Sequence, residues 1–351
     1  MNEQHDANQA PPPPGVKLTP FRTVVMIIIV LAVAAVIILN EDEAPFDADP
    51  FDADTFDQMP PVDPKLVIYR EVDGINTGLR KPLGIAIGSD DSLCVAGDNA
   101  IRIFDAAGKR KSDIQLGAEP QCVAVADDGT IYVGMIDHVA VYEPGGAQKA
   151  AWEKLGERAV LTSIAVAGDD VAVADAGNRV VLKYDRSGTL VAKIGERDPE
   201  RKIPGIVCPS PHLDVALPGD GLLRVSNPGL HRIEAYRRDG GLEFWWGEYG
   251  ALDLEGFCGC CNPTDFAVLS DGRIVTSEKG VPRVKVYEDV SGDFEGVVAA
   301  PRAFAASAVP GFGEGFVGFD LAIDSKDRVF VLDPAVQAVR VFALKTEGSD
   351  E

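Results

Sequence analysis

Six times between residues 84 and 323 the chain repeats one hydrophobic pattern. An apolar–Ala–apolar run comes first: Gly84-Ile85-Ala86-Ile87, Cys122-Val123-Ala124-Val125, Ser163-Ile164-Ala165-Val166, Asp214-Val215-Ala216-Leu217, Asp265-Phe266-Ala267-Val268 and Asp320-Leu321-Ala322-Ile323. A turn rich in Asp and Gly follows each run, as in Asp127-Asp128-Gly129 or Ser270-Asp271-Gly272. These residues tolerate the backbone conformations of tight hairpins. A second apolar run comes next (Ile131-Tyr132-Val133, Val329-Phe330-Val331), and then a third that ends on an aromatic in each unit, as in Val139-Ala140-Val141-Tyr142 or Val284-Lys285-Val286-Tyr287. Most third runs lead through a polar turn into a fourth. The alanines are spaced 38, 41, 51, 51 and 55 residues apart, a period at which four-stranded units form propeller blades. The pattern therefore predicts an all-β, six-bladed β-propeller of four-stranded antiparallel blades. The last unit ends near Leu344, one strand short, while Leu66-Val67-Ile68-Tyr69-Arg70 has a strand pattern and no partner of its own. We expect it to complete the last blade and close the ring without a free edge.

The pattern before residue 64 is different. Thr23 to Leu39 is an uncharged apolar run, and as a helix it would span roughly 25 Å. Lys17 and Arg22 precede it, and Glu41, Asp42 and Glu43 follow. Basic flanks stay in the cytoplasm, which predicts a transmembrane anchor over residues 21–40 with a disordered cytoplasmic tail at 1–20 and everything after it extracytoplasmic (periplasmic in a bacterium). A cleaved signal peptide is the alternative, but its apolar region is usually shorter. Residues 41–63 carry Phe46, Phe51 and Phe56 among nine carboxylates. They read as a self-repelling acidic linker, with an acidic-aromatic docking motif or weak Ca²⁺ binder as the sharper alternatives. The propeller is placed at 64–345 and a disordered tail at 346–351.

The formal charge of −22 argues against nucleic-acid binding, which needs clustered Lys and Arg. Of six cysteines, Cys258, Cys260 and Cys261 fall within four residues, and Cys208 lies about one repeat earlier. Thiols this dense point to a disulfide, a metal or iron–sulfur site, or a redox dithiol. Cys208, Cys258, Cys260 and Cys261, with His212 or His231, would supply soft ligands to zinc, copper or an iron–sulfur cluster. The spacing is not that of an ordinary zinc knuckle. Cys94 reads as a small buried hydrophobe.

The units resemble those of NHL-repeat propellers. The likeness rests on the apolar–Ala–apolar run, the Asp-Gly turn and a V-x-D/N segment before an R-V/I strand. Val173-Ala174-Asp175-Ala176-Gly177-Asn178-Arg179-Val180 and Val225-Ser226-Asn227-Pro228-Gly229-Leu230-His231-Arg232-Ile233 carry it best, and Trp246-Gly247-Glu248-Tyr249-Gly250 looks like an inter-repeat linker. The resemblance covers residues 64–345 and implies a geometry. The loop entering the innermost strand and the loop between the second and third strands share one face, here called the inlet face. Gly84, Cys122, Ser163, Asp214, Asp265 and Asp320 would ring the channel mouth there. Cys208, His212 and the Cys258–Cys261 group would lie in the inlet loops of blades four and five, joined by His138, Asp175, Asn227, His231, Glu278 and Lys279. Asp214, Asp265 and Asp320 are candidate channel-mouth carboxylates that would either hold a cation or bond the next blade's backbone.

NHL-type lyases hold zinc with several histidines, but His138, His212 and His231 form no matched ring. No nucleophile elbow, phosphate loop or H-E-x-x-H motif is present. The resulting expectation is a membrane-tethered binding or scaffold propeller that docks a protein or peptide on its inlet face. A metal- or iron–sulfur-bearing redox protein is the alternative, and a lyase or hydrolase comes behind both.

Overall fold

The computed structural model describes residues 61–250, 253–259, 261–307 and 318–346. All of them belong to the unit Phe51–Glu351. They form twenty-four strands, and the sheets have four strands each. Strand β1 is Tyr69–Asn76. Blade one holds β2 (Pro82–Ile87), β3 (Leu93–Gly97), β4 (Ala100–Phe104) and β5 (Arg110–Gln115), and blade two holds β6 (Cys122–Val125), β7 (Ile131–Gly134), β8 (Val139–Tyr142) and β9 (Gln148–Ala151). Blade three is β10 (Leu161–Ala167), β11 (Asp170–Asp175), β12 (Val180–Asp185) and β13 (Leu190–Ile194), and blade four is β14 (Val215–Ala216), β15 (Leu223–Asn227), β16 (Arg232–Tyr236) and β17 (Leu242–Trp246). Blade five is β18 (Asp265–Val268), β19 (Ile274–Glu278), β20 (Arg283–Tyr287) and β21 (Phe294–Ala299). Blade six takes β22 (Asp320–Ile323), β23 (Val329–Asp333) and β24 (Ala338–Leu344) from the C-terminal end, and β1 as its outer strand.

The ring is thus closed by the N-terminal strand, antiparallel to β24 with Tyr69 opposite Leu344 and Asn76 opposite Ala338. The closing strand runs further than the apolar pattern of 66–70 predicted. Only Tyr69 and Ile75 within it are buried, so an outer strand leaves little hydrophobic signal. Val67 forms a bridge to Val297 of blade five instead.

Inner strands such as β8 and β20 are buried at every position, whereas outer strands such as β13 are mostly exposed. Neighbouring blades cover both faces of an inner strand, so it reads as a continuous run rather than an alternation. The apolar core accordingly forms six clusters, one at each seam between blades. On the face opposite the inlet, every turn between the first two strands of a blade holds one residue in the left-handed region: Asp91, Gly129, Gly168, Gly221, Gly272 and Asp327. This is why Asp and Gly recur there. Hydrogen bonds and ion pairs at this end of the blades cross all six seams: Ser89–Asp127, Arg186–Asp128, Arg238–Asp170, Arg224–Asp289, Ser270–Asp327 and Ser325–Asp91.

The tail at 1–20, the apolar run at 21–40 and the linker to residue 60 lie outside the described residues, as do residues 347–351. No helix among the described residues is long and apolar enough to cross a membrane. The placement as a single-pass membrane protein is corrected accordingly. It rested on the hydropathy of one segment, and no described element carries it.

Candidate functional site

The repeat's V-x-D/N signature has a physical role at the inlet face. The acceptor that ends the second strand pins the loop entering the same blade. Asp175 Oδ1 accepts from Val160 N–H (3.0 Å), Asn227 Oδ1 from Val207 N–H (2.9 Å) and Glu278 Oε2 from Cys258 N–H (2.8 Å). Inlet loops free of regular hydrogen bonding thereby have their buried donors satisfied.

Blade five elaborates this device. Glu278 is fully buried and pairs with Arg283 Nε and Lys285 Nζ, each at 2.7 Å. Arg283 also donates to the carbonyls of Asp253 and Gly256, and Lys285 to those of Leu254 and Gly256. The Lys285 ammonium lies 4.7 Å from the centre of the Phe257 ring and 5.1 Å from that of Tyr287. Burial opposes the Glu278 charge, but the two cations outweigh it and hold the carboxyl below its ordinary range. Burial lowers Lys285 to about 8. The network clamps residues 253–258, the lead-in to the cysteine stretch. Glu278 and Lys279 are adjacent in the chain but form no ion pair with each other. Instead Lys279 Nζ donates to Ser210 Oγ of blade four (2.7 Å), and Lys279 N–H to Asn262 Oδ1 (2.9 Å). The clamp went unread because Arg283-Val284-Lys285 looks like an ordinary alternating strand. Charged residues on an inner strand were the available signal.

Asn262 also donates from Nδ2 to the carbonyls of Cys258 (2.6 Å) and Lys279 (2.9 Å). Cys208 Sγ donates to Ser210 O at 2.9 Å. Through Lys279 and Ser210, the loop that carries Cys208 is joined to blade five, and Asn262 joins Lys279 to Cys258. Cys208, Cys258 and Cys261 are all buried, and Cys260 lies outside the described residues. Neither Cys208 nor Cys258 is in a disulfide, nor are Cys94 and Cys122. Burial pushes the Cys258 thiol up to about 12. It raises Cys208 too, while Arg179 and Lys279 pull the other way. Burial, helped by Lys279, takes His212 down to about 4. Among the described residues no three or more His, Cys, Asp or Glu side chains stand together as a metal-ligand group. His231 is engaged elsewhere: its Nε2 lies 2.7 Å from Gly259 O, and its ring meets Tyr249 edge-on at 5.2 Å.

The channel-mouth carboxylates act as blade-to-blade clamps. Asp214 Oδ2 accepts from Phe266 N–H (2.8 Å), Asp265 Oδ1 from Leu321 N–H (2.9 Å) and Asp320 Oδ2 from Ile85 N–H (2.5 Å), linking blades four to five, five to six and six to one. Gly84 lets the first strand of blade one lie close to blade two, because a Cβ there would lie 3.2 Å from the Cys122 Cα. Asp265 and Asp320 also interact with each other, sharing a proton between two buried carboxyls. Burial, with their mutual repulsion, raises Asp265 well above the carboxylate range. Burial takes Asp214 to about 7 and Asp320 to about 6.

One feature of the inlet face was not read from the sequence as a site. Trp245 and Tyr249 are 53% and 61% exposed, the only aromatic side chains among the large exposed hydrophobics of the described residues. The Arg232 guanidinium lies 4.5 Å from the Trp245 ring centre. Trp246, next in the chain, is buried among Phe257 and Tyr287.

No protein-family model matches the chain, and no curated protein matches it. Solved structures do. A Bacteroides thetaiotaomicron protein of unknown function superposes with a TM-score of 0.56 at 15% identity, over 84% of this chain and 74% of its own. Virginiamycin B lyase from Staphylococcus aureus gives 0.53 at 12% identity, over 79% of this chain and 100% of its own. The WD40 β-propeller domain of Doa1 gives 0.52 at 12% identity, over 76% and 79%. The chain is a β-propeller. At these identities the likeness shows the fold alone.

Proposed function

We propose that this chain is an NHL-like propeller that works as a binding or scaffold module, docking a protein or peptide on the inlet face over blade four and the linker into blade five. The observation that carries the reading is the exposed pair Trp245 and Tyr249, each set against a cation-capable side chain, Arg232 and His231. Exposed Trp, Tyr and Arg are the residue types that dominate binding hot spots, whereas a Trp with no partner to meet is more stable in a core. The mounting is stiff. His231 is held in the left-handed region (φ 54°) with its ring on Gly259 O, and Arg232 is held by Glu234. A stiff paratope loses little entropy when a partner binds.

The test is selection of a displayed random peptide library on the full chain and on a Trp245→Ser/Tyr249→Ser variant. Peptides enriched on the first and not on the second support the reading. Equal enrichment on both, or none on either, contradicts it.

A further inference from the structure

The seam that closes the ring holds a cavity of about 400 Å³, within the size range of small-molecule sites. One wall is the end of the closing strand β1 and the two residues after it, Asp73 to Gly78. The other is built from β4, β5 and the turn between them, through Arg102, Phe104, Ala107, Gly108 and Arg110. The cavity lies between blades six and one, so it is separate from the proposed docking face over blades four and five. Glycine shapes it. Gly78 has φ 62° and Gly108 φ 74°. A Cβ at Gly78 would collide with Arg102 Nη1, and one at Gly108 would lie 3.1 Å from Ile75 Cγ1. The closing strand and blade one come this close because neither position carries a side chain.

Arg102 marks the cavity as a site. Its side chain is 14% exposed, yet its one hydrogen bond among the described residues runs from Nη1 to Thr77 O (2.6 Å). Nε is buried with no hydrogen-bond partner, 3.4 Å from Asp113 Oδ1. A guanidinium has five N–H donors, and a buried donor left unmade costs free energy that an arriving acceptor recovers. The carboxylates nearby are committed elsewhere. Asp113 is held by Arg110, whose Nε (3.0 Å) and Nη2 both donate to it. Asp105 accepts from Ala107 and Lys109 N–H within the turn. Asp73, exposed at the rim, accepts Gly74 N–H on Oδ1 (2.7 Å), and Gly78 N–H is taken by Asn76 Oδ1 (2.7 Å). The unmet buried donor of the cavity is therefore on Arg102, and the apolar side chains of Ile75, Phe104 and Ala107 line the same space.

We infer that this cavity binds a small organic carboxylate with an apolar body, the carboxylate on the Arg102 guanidinium and the body against Ile75, Phe104 and Ala107. The planar carboxylate matches the guanidinium in shape as well as charge. Thr77, which holds Arg102 from the other side, is itself tied to Gln337 of blade six through N–H (3.1 Å) and Oγ1 (2.7 Å). A ligand seated here bears on the closure of the ring, and because it binds the folded chain alone it stabilises that chain.

The probe is benzoate, with benzylamine as the same ring carrying the opposite charge, so that the rim carboxylate Asp73 is tested beside Arg102. Saturation-transfer NMR titrations on the full chain should give benzoate a dissociation constant of about 1 mM or below, about tenfold tighter than benzylamine. Arg102→Gln should weaken benzoate about tenfold by removing the charged donor. Ala107→Leu, which fills the cavity from an exposed turn, should weaken it by about as much. Thermal melts confirm that each variant folds, and those of the full chain should move upward with benzoate. Benzylamine bound as tightly as benzoate, benzoate binding unchanged in either variant, or no benzoate binding up to about 10 mM would overturn the inference.

Discussion

The axial carboxylates make a prediction whose sign and size follow from the structure. Asp265 hydrogen-bonds to Asp320 while its Oδ1 accepts from Leu321 N–H. Asparagine has the same shape and can do both, with Oδ1 accepting from Leu321 and Nδ2 donating to Asp320. Asp265→Asn therefore fixes the site in its protonated form. All three carboxyls have folded-state pKa values raised by burial, Asp214 to about 7 and Asp320 to about 6 against an ordinary 3.8. The folded protein thus holds protons that the unfolded chain has released, and stability falls as pH rises from about 4 through about 7. At 1.36 kcal/mol per pKa unit, the Asp214 change alone is worth on the order of 4 kcal/mol at pH 8. Because the folded protein must hold a proton on Asp265 that the unfolded chain has released at pH 8, the asparagine removes that cost and the variant should be more stable there by about 2–4 kcal/mol. Near pH 4 the two proteins should agree within about 0.5 kcal/mol, because the unfolded chain's Asp265 is then about half protonated and little of the linkage cost is left. Urea denaturation of each protein at steps from pH 4 to pH 8 gives the difference. A constant offset across that range, or a variant less stable at pH 8, would refute the reasoning.

Three further outcomes follow from the same geometry. Glu278→Ala leaves Arg283 and Lys285 buried without a counter-charge and should cost about 3–5 kcal/mol in urea denaturation, with a smaller loss for Glu278→Gln, which keeps an acceptor for Cys258 N–H. Trp246→Ala should cost about 3–5 kcal/mol and its neighbour Trp245→Ala less than about 1 kcal/mol, a contrast that thermal melts will show directly. Iodoacetamide at pH 8 should leave Cys94 and Cys258 unmodified in the folded protein, since burial holds both thiols up near 12. Mass spectrometry should find both alkylated once the protein is unfolded, and rapid labelling of the native protein would contradict the burial.

The blades were legible because each repeat states its period three times over, in the Ala-centred run, the Asp/Gly turn and the aromatic that ends the third run. Closure by the N-terminal strand was legible as an unpaired strand pattern, but its extent was not, since Tyr69–Asn76 buries only two side chains. That the Cys208 loop and blade five are neighbours followed from the order of the blades. What those loops do with their side chains did not. Lys279 reaches across to Ser210 rather than to adjacent Glu278, and Glu278 reaches forward to Arg283 and Lys285. These partners are chosen by three-dimensional packing among near neighbours of similar chemistry, and linear spacing does not separate them. The cysteines drew attention by rarity, yet the structure buries Cys208, Cys258 and Cys261. It exposes Trp245 and Tyr249, whose significance appears only when the outer strand and linker of blade four are seen at the surface.

Docking on the inlet face is tested most directly by hydrogen exchange of the full chain with and without a peptide enriched in the selection. The account predicts protection in the Cys208–His212 loop, at Gly229–Arg232 and over Trp245–Gly250, with the opposite face unchanged. Protection centred on the Asp/Gly turns around Asp91, Gly129 and Gly221, with none over Trp245–Gly250, would contradict it.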